Sequence, residues 1–320
     1  MILGIDIGGA NTKLASSDGS HTEIHYLPLW KSSLLPEVLK DIASRHKPEA
    51  VGVVMTGELA DSFSDKDEGI QYIARAVEEA FADVWYIDSS GTPAREAKRS
   101  AAAANWAASA VLAGRDFGDC IFADTGSTTT DIIPVVNGAA ACAKTDLERL
   151  CRGELIYAGA LRTNLAALMD RVELRGCACR ISSELFAITG DVYLLLGHIS
   201  AEAYNCETPD GSGKDTGSAR RRLARVVCAD IHELSDEDLI SIAEQAKQKQ
   251  VSELAGALSG CAGKWKLERV VGCGLGEFLI EEACAKAGLG FTSVSQEYGH
   301  DISVVFPAYA AARIVSEKCF

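Results

Sequence analysis

The chain has 320 residues, 48% of them hydrophobic, which is enough apolar material for two domain-sized cores. Its formal net charge of -14 argues against a nucleic acid or an anionic membrane surface as a partner, since both require a basic surface. No apolar run is as long as a transmembrane helix, and the 11 cysteines are scattered. We therefore expect no signal peptide, reduced thiols and a cytoplasmic protein, and the sequence leaves homo-oligomerisation open.

The first predicted elements are three antiparallel strands over residues 1–27, with Asp18–Gly19 as one of the turns. The first strand contains Asp6 near its end, and glycines and small polar residues follow it. Glycine lets the backbone approach an anion, and hydroxyl, amide and ammonium groups donate hydrogen bonds. This stretch therefore predicts a phosphate loop, loop 1, whose candidate donors are Gly8, Gly9, Asn11, Thr12 and Lys13.

Alternating helices and strands follow, with a buried strand at 50–55 and a parallel strand at 84–88. Pro93 is predicted to begin a long Ala-rich helix that extends to Leu112. Polar residues gather after the strand at 50–55, where open α/β sheets bind ligands. Thr56 is a candidate substrate contact or a helix cap, and Glu58 is a candidate catalytic base.

A second strand meander is predicted from Gly118, with Asn137–Gly138 as a hairpin turn. It repeats the pattern of loop 1, because a strand ends near Asp124 and glycine and hydroxyl residues follow. One such loop is explained equally well by an ordinary glycine turn, but two copies favour a phosphate site. The donors predicted for this second loop, loop 2, are Gly126, Ser127, Thr128 and Thr129.

Residues 139–215 are less regular and contain the remaining candidates for substrate contacts. Asp191 is a candidate base or a helix cap, and His198 is either a base or a structural hydrogen-bonding residue. Tyr193 is a candidate for stacking on an aromatic substrate, with core packing as the alternative.

Helices are predicted at 216–231 and 235–258, and the basic run 220–225 is expected to form the charged face of the first one. A strand beginning at Val270 leads into a turn with Gly272, Gly274 and Gly276 and then into a helix at 276–287. A final helix is predicted at 307–318.

The two phosphate loops and the later glycine turn together resemble the actin-like ATPase superfamily, which includes sugar kinases, Hsp70 and actin. The resemblance implies an α/β, two-lobed, ribonuclease H-like fold with a central cleft, in which the glycine turn is an adenosine-type loop. It also implies a first lobe of 1–115 plus 301–320 and a second lobe of 116–300. Asp6 and Asp124 would bind Mg²⁺, which prefers carboxylate, water and phosphate ligands.

The segments Met55–Asp61 and Asp124–Asp131 are similar to the hydantoinase/oxoprolinase branch of this superfamily. With Thr189–Tyr193 and Glu207–Gly211, the chain resembles the tetrahydromethanopterin-linked one-carbon pathway proteins, including a methanofuran synthase. That resemblance implies a transferase that joins an aminomethylfuran-methyl diphosphate to the phenol of γ-glutamyltyramine and releases diphosphate. Its catalytic groups would be Asp6, Lys13, Glu58, Asp124 and Asp191. For the substrate that this resemblance implies, Arg162 is a candidate contact for the glutamyl carboxylates, and Asp210 or Glu207 is one for the amine.

The adenosine-type loop favours a different class of enzyme. A small-molecule kinase would use ATP, and an amide hydrolase of the hydantoinase type is a related alternative. On the transferase interpretation, ATP or another nucleotide is not required.

Overall fold

The structure, a computed structural model, describes residues 1–31 and 34–319, with the side chain of Cys319 excepted. The chain divides into two compact units. Unit 1 contains Met1–Phe122, Ile133–Arg152 and Thr292–Phe320, and unit 2 contains Ala123–Ile132 and Gly153–Phe291. The lobe boundaries given above stay a prediction. Within the described residues, no helix has both the length and the apolarity needed to cross a bilayer.

The first sheet has the strand order β3-β2-β1-β4-β5-β6. The β1, β2 and β3 strands pair antiparallel, as the predicted meander requires, whereas β1 and β5 both pair parallel with β4. The strands of this sheet are β1 Ile2–Ile7, β2 Asn11–Ser16, β3 Thr22–Tyr26, β4 Ala50–Met55, β5 Val84–Ile87 and β6 Pro93–Ala94.

The second sheet has the order β10-β8-β7-β13-β14, with β9 paired to β8. The predicted hairpin turn at Asn137 and Gly138 is confirmed, since φ is +52° at the first and +72° at the second. A separate hairpin is formed by β11 and β12. These strands are β7 Cys120–Thr125, β8 Thr130–Val136, β9 Ala139–Ala140, β10 Leu155–Ile156, β11 Arg171–Leu174, β12 Cys177–Arg180, β13 Arg269–Cys273 and β14 Gly290–Ser293.

The helices begin where capping residues or turns precede an amphipathic stretch. For example, Asp65 caps one helix by accepting a hydrogen bond from the Glu68 N–H, and Ser235 caps another in the same way. The helices are α1 Leu35–His46, α2 Lys66–Ala80, α3 Asn105–Phe117, α4 Asp146–Arg152, α5 Leu165–Leu168, α6 Thr189–Leu195, α7 Thr216–Val226, α8 Asp236–Trp265, α9 Glu277–Ala287, α10 Val294–Tyr298, α11 His300–Val304 and α12 Phe306–Cys319.

The central strands of unit 1 are covered on both faces. Leu3, Ile5 and Ile7 belong to a core cluster that also contains buried residues of α1 and α2. On the other face, α12 packs directly on β1 and β4. A Cβ atom at Gly4 would collide with the Ala308 carbonyl, so glycine is required for this close approach. The final helix thus lies against the first strands, where the superfamily resemblance places it.

The helix predicted from Pro93 to Leu112 is wrong over its first half. Pro93 and Ala94 form the edge strand β6, paired antiparallel with β5, and an edge strand tolerates proline. A 3-10 turn at Arg99–Ala101 follows, and Ala103 has a positive φ of +48°. A positive φ cannot continue a right-handed helix, so α3 begins only at Asn105.

Candidate functional site

Loop 1 in unit 1 forms the turn that its glycines predict. The Gly8 N–H donates to the Asn11 carbonyl over 2.9 Å, which closes the turn between β1 and β2. A Cβ atom at Gly9 would meet no described atom within 4 Å, so packing within the described chain does not require glycine there. Close approach of a ligand to the backbone would explain glycine at this position.

Of two predicted donors in loop 1, Lys13 binds another group of the protein and Thr12 is buried. Lys13 lies opposite Asp6 in the antiparallel register, and its Nζ donates to the Val304 carbonyl over 2.8 Å. Thr12 is completely buried and lies opposite Ile7, a residue of the hydrophobic core. Among the described residues, the Thr12 Oγ1 has no hydrogen-bond partner. The roles of Lys13 and Thr12 as phosphate donors stay a prediction.

The turn after β4 lies against loop 1. The N–H groups of Thr56 and Gly57 both donate to the Ile7 carbonyl, over 2.9 and 3.0 Å. A Cβ atom at Gly57 would lie 3.0 Å from the Gly8 carbonyl oxygen, so glycine permits this contact. The backbone of the candidate substrate contact Thr56 and of Gly57 is thereby held beside the phosphate loop, and the candidate base Glu58 is the next residue along the chain.

Glu58 is a buried carboxyl group with limited compensation. Its side chain is 1% exposed, and the nearest cation, the Lys66 Nζ, lies 3.6 Å from Oε1. Among the described residues, Oε2 has no hydrogen-bond partner. Burial raises the pKa of Glu58. Backbone hydrogen bonds at Glu58 and Ala103 and the charge of Lys66 oppose the rise, and Asp146 adds to it. A carboxyl with a raised pKa accepts a proton more readily, which suits a general base.

Loop 2 in unit 2 has the same construction as loop 1. Asp124 lies buried near the end of β7, and the Gly126 N–H donates to the Thr129 carbonyl over 2.9 Å. The side chains of Ser127 and Thr128 are half-buried, and their hydroxyl oxygens lie 3.4 Å apart. This places several predicted phosphate donors on one turn.

The adenosine-type loop packs on loop 2. The Gly276 N–H donates to the Thr125 carbonyl over 2.9 Å. A Cβ atom at Gly274, where φ is +95°, would collide with the Asp124 carboxylate, and one at Gly276 would collide with the Thr125 side chain. A Cβ atom at Gly272 would lie 2.6 Å from the Phe291 ring. Packing within unit 2 thus accounts for all three glycines without an adenine.

The segment after β10 supports loop 2 and brings Arg162 to it. The N–H groups of Leu161 and Arg162 donate to the Ser127 carbonyl over 3.0 and 2.9 Å. The Arg162 Nη1 donates to the Thr128 Oγ1 over 3.2 Å. The structure therefore joins Arg162 to the phosphate donors, whereas the sequence suggested a carboxylate contact.

Asp191 lies in a buried ion pair. It and Arg222 are both 0% exposed, with 2.6 Å between the Asp191 Oδ1 and the Arg222 Nη2. The Tyr204 hydroxyl and the Ile188 N–H also donate to the carboxylate, the latter at the start of α6. Burial raises the pKa of Asp191, and Arg222 opposes the rise. This geometry favours a role for Asp191 in capping α6 and in positioning Arg222. The role of Asp191 as a base stays a prediction.

The same arginine reaches Asp210, the predicted amine contact. The Arg222 Nη1 lies 3.1 Å from the Asp210 Oδ1, and the Arg225 Nη1 lies 3.0 Å from Oδ2. The basic run on α7 therefore includes arginines that form ion pairs within the protein, in addition to a charged surface. The contact of Asp210 with an amine stays a prediction. Two arginines already bind the Asp210 carboxylate.

Tyr193 and His198 lie in an aromatic cluster beside α9. Tyr193 is completely buried, and its hydroxyl donates to the Gln250 Oε1 over 2.6 Å. Its ring packs edge-on against Phe278, on which the exposed His198 stacks at 4.4 Å between centroids. Burial of the imidazole lowers the pKa of His198, and the positive charge of Lys247 lowers it further. Tyr193 thus has the environment of a core residue, and its substrate contact stays a prediction.

The predicted metal ligands are two buried carboxylates, one in each unit. Asp6 and Asp124 each lie near the end of a strand that leads into a phosphate loop. Within the described residues, no group of three or more acidic, histidine or cysteine side chains could hold a metal ion. Mg²⁺ binds through one or two carboxylates plus water and phosphate oxygens, so these residues fit magnesium, and their joint site stays a prediction.

Sequence reasoning missed two charged residues of these sites. Lys66, at the first position of α2, is the cation nearest Glu58, and nothing in its local sequence indicated this. Arg222 could have been found, because it lies on the buried stripe of α7 with Ala219, Leu223 and Val226. A charged residue at a core position of an amphipathic helix indicates a buried partner.

Comparisons with known proteins agree with this architecture. A family profile described as hydantoinase/oxoprolinase matches residues 49–318. The chain is 39% identical to the (4-{4-[2-(gamma-L-glutamylamino)ethyl]phenoxymethyl}furan-2-yl)methanamine synthase of Methanocaldococcus jannaschii, over 99% of this chain and 98% of that relative. It is 36% identical to the synthase of the same name from Methanococcus vannielii, over 62% of this chain and 92% of that relative.

Among solved structures, a ROK family glucokinase from Streptomyces griseus in complex with glucose and AMPPNP aligns with a TM-score of 0.51. The identity is 14%, and the alignment covers 97% of each chain. This likeness concerns the fold alone, and it shows the α/β fold of the actin-like sugar kinases.

Proposed function

The chain belongs to the hydantoinase/oxoprolinase family, and we propose that it catalyses the reaction named for its two synthase relatives. The product would be an ether between a phenol carrying a γ-glutamylaminoethyl group and a furan carrying an aminomethyl group. The substrates are (5-aminomethylfuran-3-yl)methyl diphosphate and γ-glutamyltyramine. The enzyme is therefore a transferase of a furylmethyl group that releases diphosphate.

The bond changes define what the protein must supply. The bond between the furylmethyl carbon and the diphosphate oxygen breaks, and its electron pair leaves with the diphosphate. The phenol oxygen forms the new bond to the same carbon and loses its proton. The furan ring stabilises positive charge on this carbon, so bond breaking can precede attack. The protein must then stabilise a departing polyanion and accept one proton.

The observation that carries the proposal is the contact between loop 1 and the turn that carries Glu58. Gly57 of this turn lies against Gly8 of the loop, and the next residue is the buried carboxyl with a raised pKa. A phenol has an ordinary pKa of about 10, so a base that removes its proton accelerates attack. We assign that proton to the Glu58 carboxylate, with Lys66 as the neighbouring cation.

Hydrogen-bond donors on the phosphate loops would stabilise the leaving group. In loop 2, the hydroxyl groups of Ser127 and Thr128 lie together, and Arg162 donates to the second of them. Donors that are already oriented cost little reorganisation when negative charge develops, which makes them effective in catalysis. Asp6 and Asp124 would hold Mg²⁺, which would supply further neutralisation of the diphosphate charge.

The kinase or amide-hydrolase alternative was favoured by the adenosine-type loop. Internal packing accounts for the glycines of that loop, because Gly272, Gly274 and Gly276 each lie against another residue of unit 2. We therefore propose that nucleotide is not needed for turnover. We further propose a cytoplasmic location, supported by cysteines that, among the described side chains, are not joined in disulfides.

The proposal is tested by incubating the purified protein with Mg²⁺ and both substrates and following ether and diphosphate by mass spectrometry. The expected result is equal amounts of the two products. Asp124→Asn should abolish turnover, whereas Asp170→Asn, which changes an exposed carboxylate in the same unit, should retain it. Absence of the ether from the wild-type reaction would refute the proposal.

A further inference from the structure

Two cationic side chains in unit 2, Arg162 and Lys214, are linked by a series of direct contacts. Arg162 donates to the Thr128 hydroxyl, as described above. Lys214 is half-buried, and its Nζ lies 5.8 Å from the centroid of the Tyr204 ring. Lys214 makes no ion pair with any carboxylate in residues 1–31 and 34–319. In a chain with a net charge of -14, a half-buried lysine without an acidic partner requires an explanation.

A chain of direct contacts connects the two cations. The Tyr204 ring lies over Gly190, where a Cβ atom would be 2.9 Å from the ring. The Gly190 N–H donates to the Leu161 carbonyl over 2.9 Å, next to Arg162. Lys214 therefore lies on Tyr204, Tyr204 lies on Gly190, and Gly190 binds the segment that carries Arg162.

The thiol of Cys206, two residues after Tyr204, is buried. Burial raises the pKa of this thiol to about 11. Arg162 and Lys214 both act against that rise through their positive charges, in that order. These effects agree with the contacts that link Lys214 to Arg162 through Tyr204 and Gly190.

The backbone on both sides of Lys214 is fixed. The Arg222 Nη1 donates to the Gly213 carbonyl over 3.1 Å, immediately before the lysine. Immediately after it, Asp215 caps α7 by accepting a hydrogen bond from the Ser218 N–H over 2.9 Å. Arg222 is in turn held by its buried pair with Asp191. This ion pair thus acts as a positioning device for Lys214.

We propose that Arg162 and Lys214 form an oxyanion subsite beside loop 2, which binds a phosphate or carboxylate group of a substrate. An arginine fork and a lysine ammonium group suit an anion with several oxygens. The identity of the substrates rests on the proposed function, in which the diphosphate and the glutamyl carboxylates are the two sources of such a group. The oxygens of the bound group would complete the hydrogen bonding of Lys214.

The test measures the binding of two anions by calorimetry without turnover. Inorganic diphosphate with Mg²⁺ is one probe, and γ-glutamyltyramine is the other. The variants are Lys214→Gln and Arg162→Lys, which removes the guanidinium fork and retains the charge. Lys249→Ala, which removes an exposed lysine of the same unit, is the matched control. Thermal unfolding of each variant establishes that it is folded under the binding conditions.

The expected result is that both variants bind one probe about 10-fold to 100-fold more weakly, as the loss of one charged hydrogen bond predicts. A loss for diphosphate identifies the group as phosphate, and a loss for γ-glutamyltyramine identifies it as carboxylate. Unchanged binding of both probes, a loss equal to that of Lys249→Ala, or no binding by the wild type would overturn the subsite. Product formed by the wild type alongside any of these results would leave the proposed function standing.

Discussion

Replacement of Asp191 by asparagine tests whether this residue is a structural partner or a base. The carboxylate accepts N–H groups of Arg222 over 2.8 and 2.6 Å, and both side chains are completely buried. Loss of one member of a buried pair typically destabilises a protein by about 3–5 kcal/mol, since the other charge stays buried. Asp210 still lies 3.1 Å from Arg222 in the variant, so we expect the lower end, about 3 kcal/mol.

The assay is urea-induced unfolding of Asp191→Asn and of the control Asp170→Asn. The control removes an exposed carboxylate that lies 3.6 Å from the Arg171 guanidinium, and pairs of this kind contribute about 0–1 kcal/mol. We expect a much lower free energy of unfolding for the first variant than for the second. If Asp191→Asn were as stable as the wild type and yet lost turnover, Asp191 would act as the base and the structural argument would be refuted.

Three further variants test the remaining assignments. Glu58→Gln should lower kcat by about 100-fold or more and remove the acidic limb of the pH profile. Because burial raises the pKa of Glu58 in the folded protein, the wild type loses stability as the pH rises from the unfolded-state pKa of this carboxyl through the raised one, and the unfolding free energy of the variant relative to wild type should increase over that window. Gly274→Ala should destabilise the protein, since its Cβ would collide with Asp124, whereas Gly256→Ala on the exposed face of α8 should not. Lys13→Ala should lower the unfolding free energy by about 1 kcal/mol and leave diphosphate inhibition unchanged; weaker inhibition would restore Lys13 as a phosphate ligand.

The sequence predicted those parts of the fold that depend on local patterns. The buried strand 50–55 is confirmed as β4, and the turn at Asn137–Gly138 has the positive φ values that these residues favour. The segment from Pro93 was mispredicted because Ala-rich composition favours helix, whereas pairing with β5 and the positive φ of Ala103 depend on tertiary structure.

In the candidate site, too, the sequence predicted the local features and did not predict the contacts that depend on tertiary structure. Loops 1 and 2 were found because glycine and hydroxyl residues after a strand have a local physical meaning. The position of Arg222 on the buried stripe of α7 indicates that it has a buried partner, but it does not identify Asp191, which is 31 residues away along the chain. Lys66 was missed for a related reason, because its contact with Glu58 depends on how α2 packs after the turn.

The central claim is that this protein forms an ether by displacing diphosphate, with no nucleotide in the reaction. The most direct test is the two-substrate reaction with Mg²⁺, run once after enzymatic removal of all nucleotide and once with added ATP. The account predicts the same rate in both reactions and one diphosphate for each ether. Ether formed only with ATP, with ADP or AMP released in proportion, would contradict it.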